Sequence, residues 1–393
     1  MSLAGCNAAN SGARCLARRF LPSSASSVIL ATSGPGEIRA LALVGGIAID
    51  SAIERPGGPL EPGDQVIGRI RAQVPAMAGA FVALPAGSAD GFLPDTAGAA
   101  GLPEGSPLAL RVIRGAQGGK GPRVARLEAA AEGPPRLLGR GPGAIERLAA
   151  LHPEAAILVD RPGLSAGLPA EFRPRMTVGL GDEAQHAAEI WAALAEAEVH
   201  LPGGGRFSIT PTPALVAIDA DATSLTGERR GKKDAQLALN RRLIPAIARH
   251  IRLRHLSGAI VIDLAGLPQR QRPLLTEAFQ AALANDPQKP RFLGFTGLGL
   301  AEIQRSRTHP PLHELLQGAY AEALAGLASL ARAVVERPGE SHALALSPAL
   351  LGAIEGDTTA RDQFRDRTGN YPALYADNAI EDRPHSWRLV TIV

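Results

Sequence analysis

The sequence has almost no cysteine. Only Cys6 and Cys15 occur in 393 residues, both within the first fifteen. That excludes a disulfide framework or a cysteine-built zinc site as the support of the fold, and it fits a reducing compartment such as the cytoplasm. Aromatic residues make up only 4%, with nine Phe in all, so the placement of each one carries weight. No run of eighteen apolar residues appears, so no transmembrane helix is expected. Charge of neither sign dominates: the formal net charge is +3, with a sequence pI near 9.1. Such a balance permits nucleic acid as a partner without demanding it.

Gly and Pro are abundant, at 44 and 32 residues, about a fifth of the chain and short of the level of a disordered low-complexity sequence. With 45% hydrophobic residues, the length predicts two or three domains with sizeable cores. Residues 1–27 contain Arg14, Arg18 and Arg19, several Ser and no acid. They read as a disordered extension, with a transit-type segment as the other reading. "EIRALALVGGIAIDSAI" (37–53) alternates around a Gly-Gly turn and predicts a hairpin. From 64 to about 130, short strands and Gly/Pro turns follow one another without a helical period, as in a small barrel. Beyond 143 the order of strands and helices predicts an α/β core. Helices are expected over 182–198, 233–256 (kinked or restarted at Pro245), 272–285 and 312–336, followed by a small α/β appendage ending in "WRLVTIV".

Three constellations carry possible chemistry. "ALVAIDAD" and "GAIVIDLAGL" each run as an apolar strand into an aspartate, Asp219 and Asp263. Asp at a strand end can serve turns and helix caps. It can also hold a shared hard cation if the strands are parallel neighbours, because Mg²⁺ takes one or two carboxylates and completes its shell with water. Basic residues concentrate between the two aspartates, in "RRGKK", "NRR" and "RHIRLRHL". They are either a solvated helix face or a path for a phosphate backbone. In the barrel, Phe81 and Phe92 are either core residues or exposed platforms for single-stranded bases, with Lys120 nearby in "GGKG".

Together these segments resemble the ribonuclease E/G family. "ILATSGPGEIRALALVGG" looks like its opening hairpin, and "GRIRAQVPAMAGAFVALPAGSADGFLP" like its RNA-binding OB-fold. "LPGGGRFSITPTPALVAIDADA", "ARHIRLRHLSGAIVIDLAGL" and "LGLAEIQRSR" look like blocks of its DNase-I-like catalytic subdomain. The resemblance implies an α/β, multidomain chain: an N-terminal hairpin of an RNase-H-like subdomain (28–63), an OB-fold (64–130), the remainder of the RNase-H-like subdomain (131–198), a DNase-I-like subdomain (199–311) and a small C-terminal domain (312–393). It implies endonucleolytic cleavage of single-stranded RNA to 5′-phosphate products, with Mg²⁺ held by Asp219 and Asp263. Phe81, Phe92 and Lys120 would contact the RNA; from the basic cluster, Arg252 and Arg254 are further candidate RNA contacts.

The departures from the family pattern bear on activity. Asp221 stands where the family has Asn, His255 and Ser257 alter "LRLRDLGG", and Gly297 replaces an Arg expected near the scissile phosphate. Only about thirty residues separate the barrel from "AILVD", too few for the family's sensor of RNA 5′ ends. The zinc-linking cysteines are replaced by "THPPLHELL", whose His309 and His313 read as structural. The expectation is therefore a cytoplasmic monomer or homodimer without structural zinc. It is a Mg²⁺-dependent endoribonuclease or, alternatively, a catalytically weak RNA-binding relative acting in ribosomal RNA maturation.

Overall fold

The computed structural model describes residues 27–202, 204–221, 232–381 and 386–392. The expected extension before Ser27, with both cysteines, and the basic run from Arg229 to Gly231 lie outside the described residues. Strands β1 (Ser27–Gly34), β2 (Glu37–Val44) and β3 (Ile47–Glu54) form an antiparallel meander. The β2–β3 turn is Gly45-Gly46, both at positive φ (57° and 78°), the conformation that tight hairpin turns require and that glycine adopts without steric cost.

The barrel follows as β4 (Gln65–Val74), β5 (Gly79–Ala83), β6 (Gly91–Pro94), β7 (Pro107–Arg114) and β8 (Arg123–Arg126). The pairing runs β5-β6-β8-β7-β4 and closes β4 back onto β5. A sixth strand, β9 (Arg136–Gly139), adds to β4 from the segment placed after the barrel on sequence. Its core is aliphatic: Val66, Ile70, Val82, Leu93, Leu110 and Val124 are buried, and no aromatic ring belongs to it.

The chain then returns to the meander. Helix α1 (Ala144–Leu151), β10 (Ala156–Val159), α2 (Pro162–Gly167), β11 (Met176–Val178) and α3 (Glu183–Ala195) complete a five-stranded sheet of order β11-β10-β1-β2-β3, with β10 and β11 parallel to β1. Strand alternation splits its apolar residues between two faces. Ile29, Ala31 and Ala40 pack with Ile145 and Leu148 of α1, while Val28, Leu30 and Leu41 pack with Ile190, Trp191 and Leu194 of α3.

A second, six-stranded sheet contains β12 (Glu198–His200), β13 (Arg206–Pro211), β14 (Leu215–Asp221), β15 (Gly258–Asp263), β16 (Arg291–Phe295) and β17 (Ala301–Arg305) in the order β12-β13-β14-β15-β17-β16. Helix α4 (Lys232–Leu253) connects β14 to its parallel neighbour β15, and α5 (Thr276–Leu283) follows a 3₁₀ turn. Both helices cover one face, where Ile218, Ile260 and Ile262 meet Ile244, Ile247 and Ile251. Each such side chain contributes about 1.5–3 kcal/mol on burial. The sequence reading expects a kink or a restart at Pro245; the helix does not restart, and α4 continues through it from Lys232 to Leu253. Pro245 lies on the exposed face, where water can take the carbonyl its ring leaves unbonded.

The predicted helix 312–336 is divided into α6 (Leu312–Leu316) and α7 (Ala319–Glu336) by Gly318, whose φ of 90° no α-helix accommodates. Helices α8 (Pro348–Ile354) and α9 (Thr358–Thr368), absent from the sequence reading, join β18 (Ser341–Leu346), β19 (Leu374–Ala376) and β20 (Trp387–Ile392) in a small terminal α/β unit. It seats on the first sheet at Gly36, where a Cβ would lie 2.6 Å from Leu324 and 2.7 Å from Ala360.

Candidate active site

The βαβ unit β14–α4–β15 sets two carboxylates side by side. The parallel register pairs Leu215 with Ala259 and ends on Asp219 opposite Asp263. Neighbouring strands lie about 4.8 Å apart and register partners share a face. Ile218 and Ile262 point into the helix-covered core, so Asp219 and Asp263 must point to the other face, at the carboxyl ends of the strands. There both are exposed, Asp263 to 54%. The apolar-then-Asp pattern of the sequence thus has a concrete cause: one strand residue in two feeds the core, and the last outward position carries the acid.

The two carboxylates have different surroundings. Asp219 has no hydrogen-bond or ion-pair partner among the described residues. Asp263 accepts from Arg272 at 3.0 Å through Oδ1, and among the described residues no partner reaches its Oδ2. Arg272 is almost buried, with 12% side-chain exposure, and its guanidinium is held on two further sides, by the carbonyls of Leu267 (3.0 Å) and Gly299 (2.6 Å). Gly299 stands at a φ of 88°, and a Cβ there would press within 3.1 Å of the Arg272 side chain. Gln269 ties the same loop to the carbonyl of Gly297 at 2.6 Å. Sequence reading found the cation missing at Gly297 and overlooked Arg272, which brings one to the same turn from the preceding loop. Asp221, two residues beyond Asp219 and on its face, is met by Arg206 at 3.0 Å from the adjacent strand.

Two carboxylates this close on one solvent-facing edge make a donor set suited to a hard divalent cation that keeps most of its water. Among the described residues no group of three or more His, Cys, Asp or Glu converges on a point. A metal here would therefore take two protein carboxylates, which is what Mg²⁺ commonly uses.

The other expected contacts lie elsewhere. Phe81 and Phe92 are cross-strand partners on the outside of the barrel, centroids 5.9 Å apart and edge to face. Phe81 is 36% exposed, so neither is a barrel-core ring. Arg123 is Phe92's register partner on β8, and Pro122 accepts the Phe92 N–H at 2.8 Å. Lys120 sits two residues earlier, exposed in the β7–β8 hairpin. The barrel touches the six-stranded sheet's unit through Gly115, which donates to the Thr308 carbonyl at 3.0 Å, and through Gly118 on Glu314. Residue 308 follows the end of β17, beside the start of β15, so this contact is at the end of the sheet opposite the aspartates. At about 3.3 Å per residue the six residues of β15 put the two ends on the order of 20 Å apart.

Arg252 and Arg254 also lie at that opposite end, because α4 runs back along the sheet. They are neither a solvated helix face nor neighbours of the aspartates. Arg252 forks onto Asp50 of β3, with Nε on Oδ1 at 2.5 Å and a second bond to Oδ2, and reaches the Asn285 carbonyl at 2.7 Å. Arg254 is buried and donates to the carbonyls of Glu196 (2.6 Å) and Ala193 (3.2 Å) at the end of α3. His152 adds a third bond to Asp50 at 2.6 Å. Burial disfavours the charged Asp50, but the bonds from His152 and Arg252 outweigh it and hold the carboxyl below its usual range.

Residues 177–308, which contain both aspartates and Arg272, match the model of the Ribonuclease E/G family. Over this segment, about a third of the chain, the sequence is similar to the ribonuclease E/G family. Similar proteins include Ribonuclease E of Synechocystis sp., 35% identical over 156 residues, covering 39% of this chain and 22% of that protein. Ribonuclease G of Salmonella typhimurium is 32% identical over 157 residues, covering 37% of this chain and 32% of that protein. Ribonuclease E of Escherichia coli is 37% identical over 120 residues, 30% of this chain and 11% of that protein. The chain thus spans at most about a third of the length of these relatives. The matched family segment excludes the barrel and its aromatic pair. Among the described residues no helix is long and apolar enough to cross a membrane.

Proposed function

We propose that the chain is an endoribonuclease acting on single-stranded RNA, with Mg²⁺ held between Asp219 and Asp263. The observation that carries this reading is the parallel register that sets the two carboxylates side by side, both exposed among the described residues. The bound ion would supply charge for the phosphoryl group and an activated water, leaving 5′-phosphate products. The protein's own part is positioning. Arg272 fixes the Asp263 carboxylate through Oδ1 and leaves Oδ2 to the ion. It also offers a clamped guanidinium where Gly297 offers none, suited to an RNA phosphate oxygen. Arg206 draws Asp221 aside and offsets its added negative charge.

In this reading Phe81 and Phe92 stack bases and Lys120 meets phosphate, so one RNA strand must run the length of the sheet. The strand order of the first sheet and the closed barrel support RNase-H-like and OB-type assignments, and the second sheet a DNase-I-like one. A cytoplasmic monomer or homodimer assembled without zinc fits the same reading. The test is cleavage of labelled A/U-rich single-stranded RNA with Mg²⁺: Asp263→Asn should abolish cleavage that the native chain performs, and equal rates would refute the assignment.

A second reading rests on Asp221 and on the ion pair that Arg272 makes with Asp263: a relative that binds RNA, as in ribosomal RNA maturation, and barely cuts it. Tight binding without turnover removable by EDTA would favour it.

A further inference from the structure

At the end of the six-stranded sheet away from the aspartates, a cavity of about 90 Å³ opens between the two α/β units. Arg147 of α1, Arg252 and His255 at the end of α4, and Arg305 and His309 at the end of β17 and just beyond line it, with Asp50 its one carboxylate. The lining therefore carries three guanidinium charges against a single acid, itself engaged by Arg252 and His152. Each guanidinium is clamped from behind. Asp286 and the Leu256 carbonyl hold Arg305, while Glu61 and the Ile53 carbonyl hold Arg147. A guanidinium has five N–H donors, and these contacts leave some free on all three. Clamping fixes their direction in advance, which lowers the entropic cost of meeting a ligand.

The imidazoles add the second observation. His255 faces the Ser51 carbonyl through Nε2 at 2.9 Å and the backbone of Pro310 on its other side, whereas the Nε2 of His309 is buried with no hydrogen-bond partner among the described residues. Burial first, and then the charges of Arg147 and Arg305, push His255 down to about 4 and His309 to about 3, so both rings are neutral near pH 7. A buried polar nitrogen without a partner, facing three guanidinium groups in a cavity roomy enough for more than one water, calls for an occupant. The mouth is open, since Ser306, Pro287 and Leu151 are exposed. The barrel hairpin bearing Lys120 meets its rim at Thr308.

We propose that this junction cavity is a phosphate-binding site, with Arg147, Arg252, Arg305 and His309 as its donors. The phosphate group could belong to an RNA strand leaving the barrel, to a mononucleotide or to the free ion. The site does not depend on the aspartate pair, so Asp263→Asn should leave it intact.

Titration calorimetry of the full chain with inorganic phosphate, a nucleoside monophosphate, and an oligonucleotide with and without a terminal phosphate distinguishes the sources by which binds tightest. Ser306→Asp places a carboxylate at the exposed mouth without touching the clamps. It should weaken binding by about tenfold or more, as a repulsion near 1.4 kcal/mol implies, while Ser306→Ala should not. His309→Gln should weaken it too, with the thermal midpoint showing that the variant is folded. If no phosphate species binds the folded protein at millimolar concentration, or Ser306→Asp binds as well as the native chain, the cavity holds water only and the proposal is overturned.

Discussion

The two ends of the β14–α4–β15 unit carry opposite kinds of charge. At the carboxyl end of the strands, among the described residues, Asp219 and Asp263 stand exposed, one unpartnered and the other held by a single arginine. At the amino end, Asp50, Arg252, His152, Arg305 and Asp286 are buried or nearly so, and each acid is tied to a basic partner. Exposed carboxylates with spare oxygens cost the fold little and are free for a ligand. Buried charges must be paired to be tolerated, and removing one partner strands the other. The same secondary structure thus separates a place for chemistry from a place that locks two α/β units together.

The largest effect expected on stability is at the locked end. Asp50→Ala leaves Arg252 and His152 without their carboxylate and should cost about 3–5 kcal/mol, read as a loss of denaturant midpoint. Cleavage per folded molecule should stay near the native rate.

Acid should act on the same end next. His255 and His309 are neutral when folded because burial lowers them, and His250, packed on Phe207, is lowered to about 3 for the same reason. The unfolded chain binds protons near pH 6.5 while the folded chain resists until about 3–4, so stability falls as pH drops below 6.5. One pKa unit is about 1.4 kcal/mol, so a fall of a few kcal/mol by pH 4 is expected. The lowered carboxyl of Asp50 adds to it at the acid extreme. A midpoint flat from pH 7 to pH 4 would show that these imidazoles are not held neutral.

Smaller effects belong to the open surfaces. Phe81→Ala should weaken binding of single-stranded RNA by about 1–3 kcal/mol and leave the melting midpoint unchanged, because the ring lies outside the barrel core. Arg272→Lys keeps the charge and loses the three-way clamp. We expect a shift of about tenfold or less in Mg²⁺ affinity by calorimetry, on the scale of one charged hydrogen bond.

Much of the aspartate end was legible in the sequence, because its signal is local: an apolar run, period-two alternation and a terminal Asp. Helix α4 was legible from its apolar spacing, apart from the tolerance of Pro245 on its exposed side. The arginine end was not legible. Asp50 and Arg252 are 202 residues apart, and nothing near either announces the other. For the same reason the sequence suggests Arg252 and Arg254 as RNA contacts but not their partners within the fold, Asp50 for one and the backbone carbonyls of Glu196 and Ala193 for the other. Arg272 was missed because its approach to Asp263 depends on a 3₁₀ turn and on Gly299 at positive φ, neither of which has a periodic signature. The split at Gly318 and the helices α8 and α9 escaped likewise, since short helices present too few turns for a pattern.

The central claim is that chemistry resides at the exposed pair and not at the locked end. It is tested most directly by measuring Mg²⁺-dependent cleavage of one labelled single-stranded RNA, per folded molecule, for Asp219→Asn and Asp50→Asn side by side. The account predicts that Asp219→Asn loses cleavage by about a hundredfold or more at an unchanged melting midpoint, while Asp50→Asn melts earlier and still cuts. Undiminished cleavage by folded Asp219→Asn would contradict it.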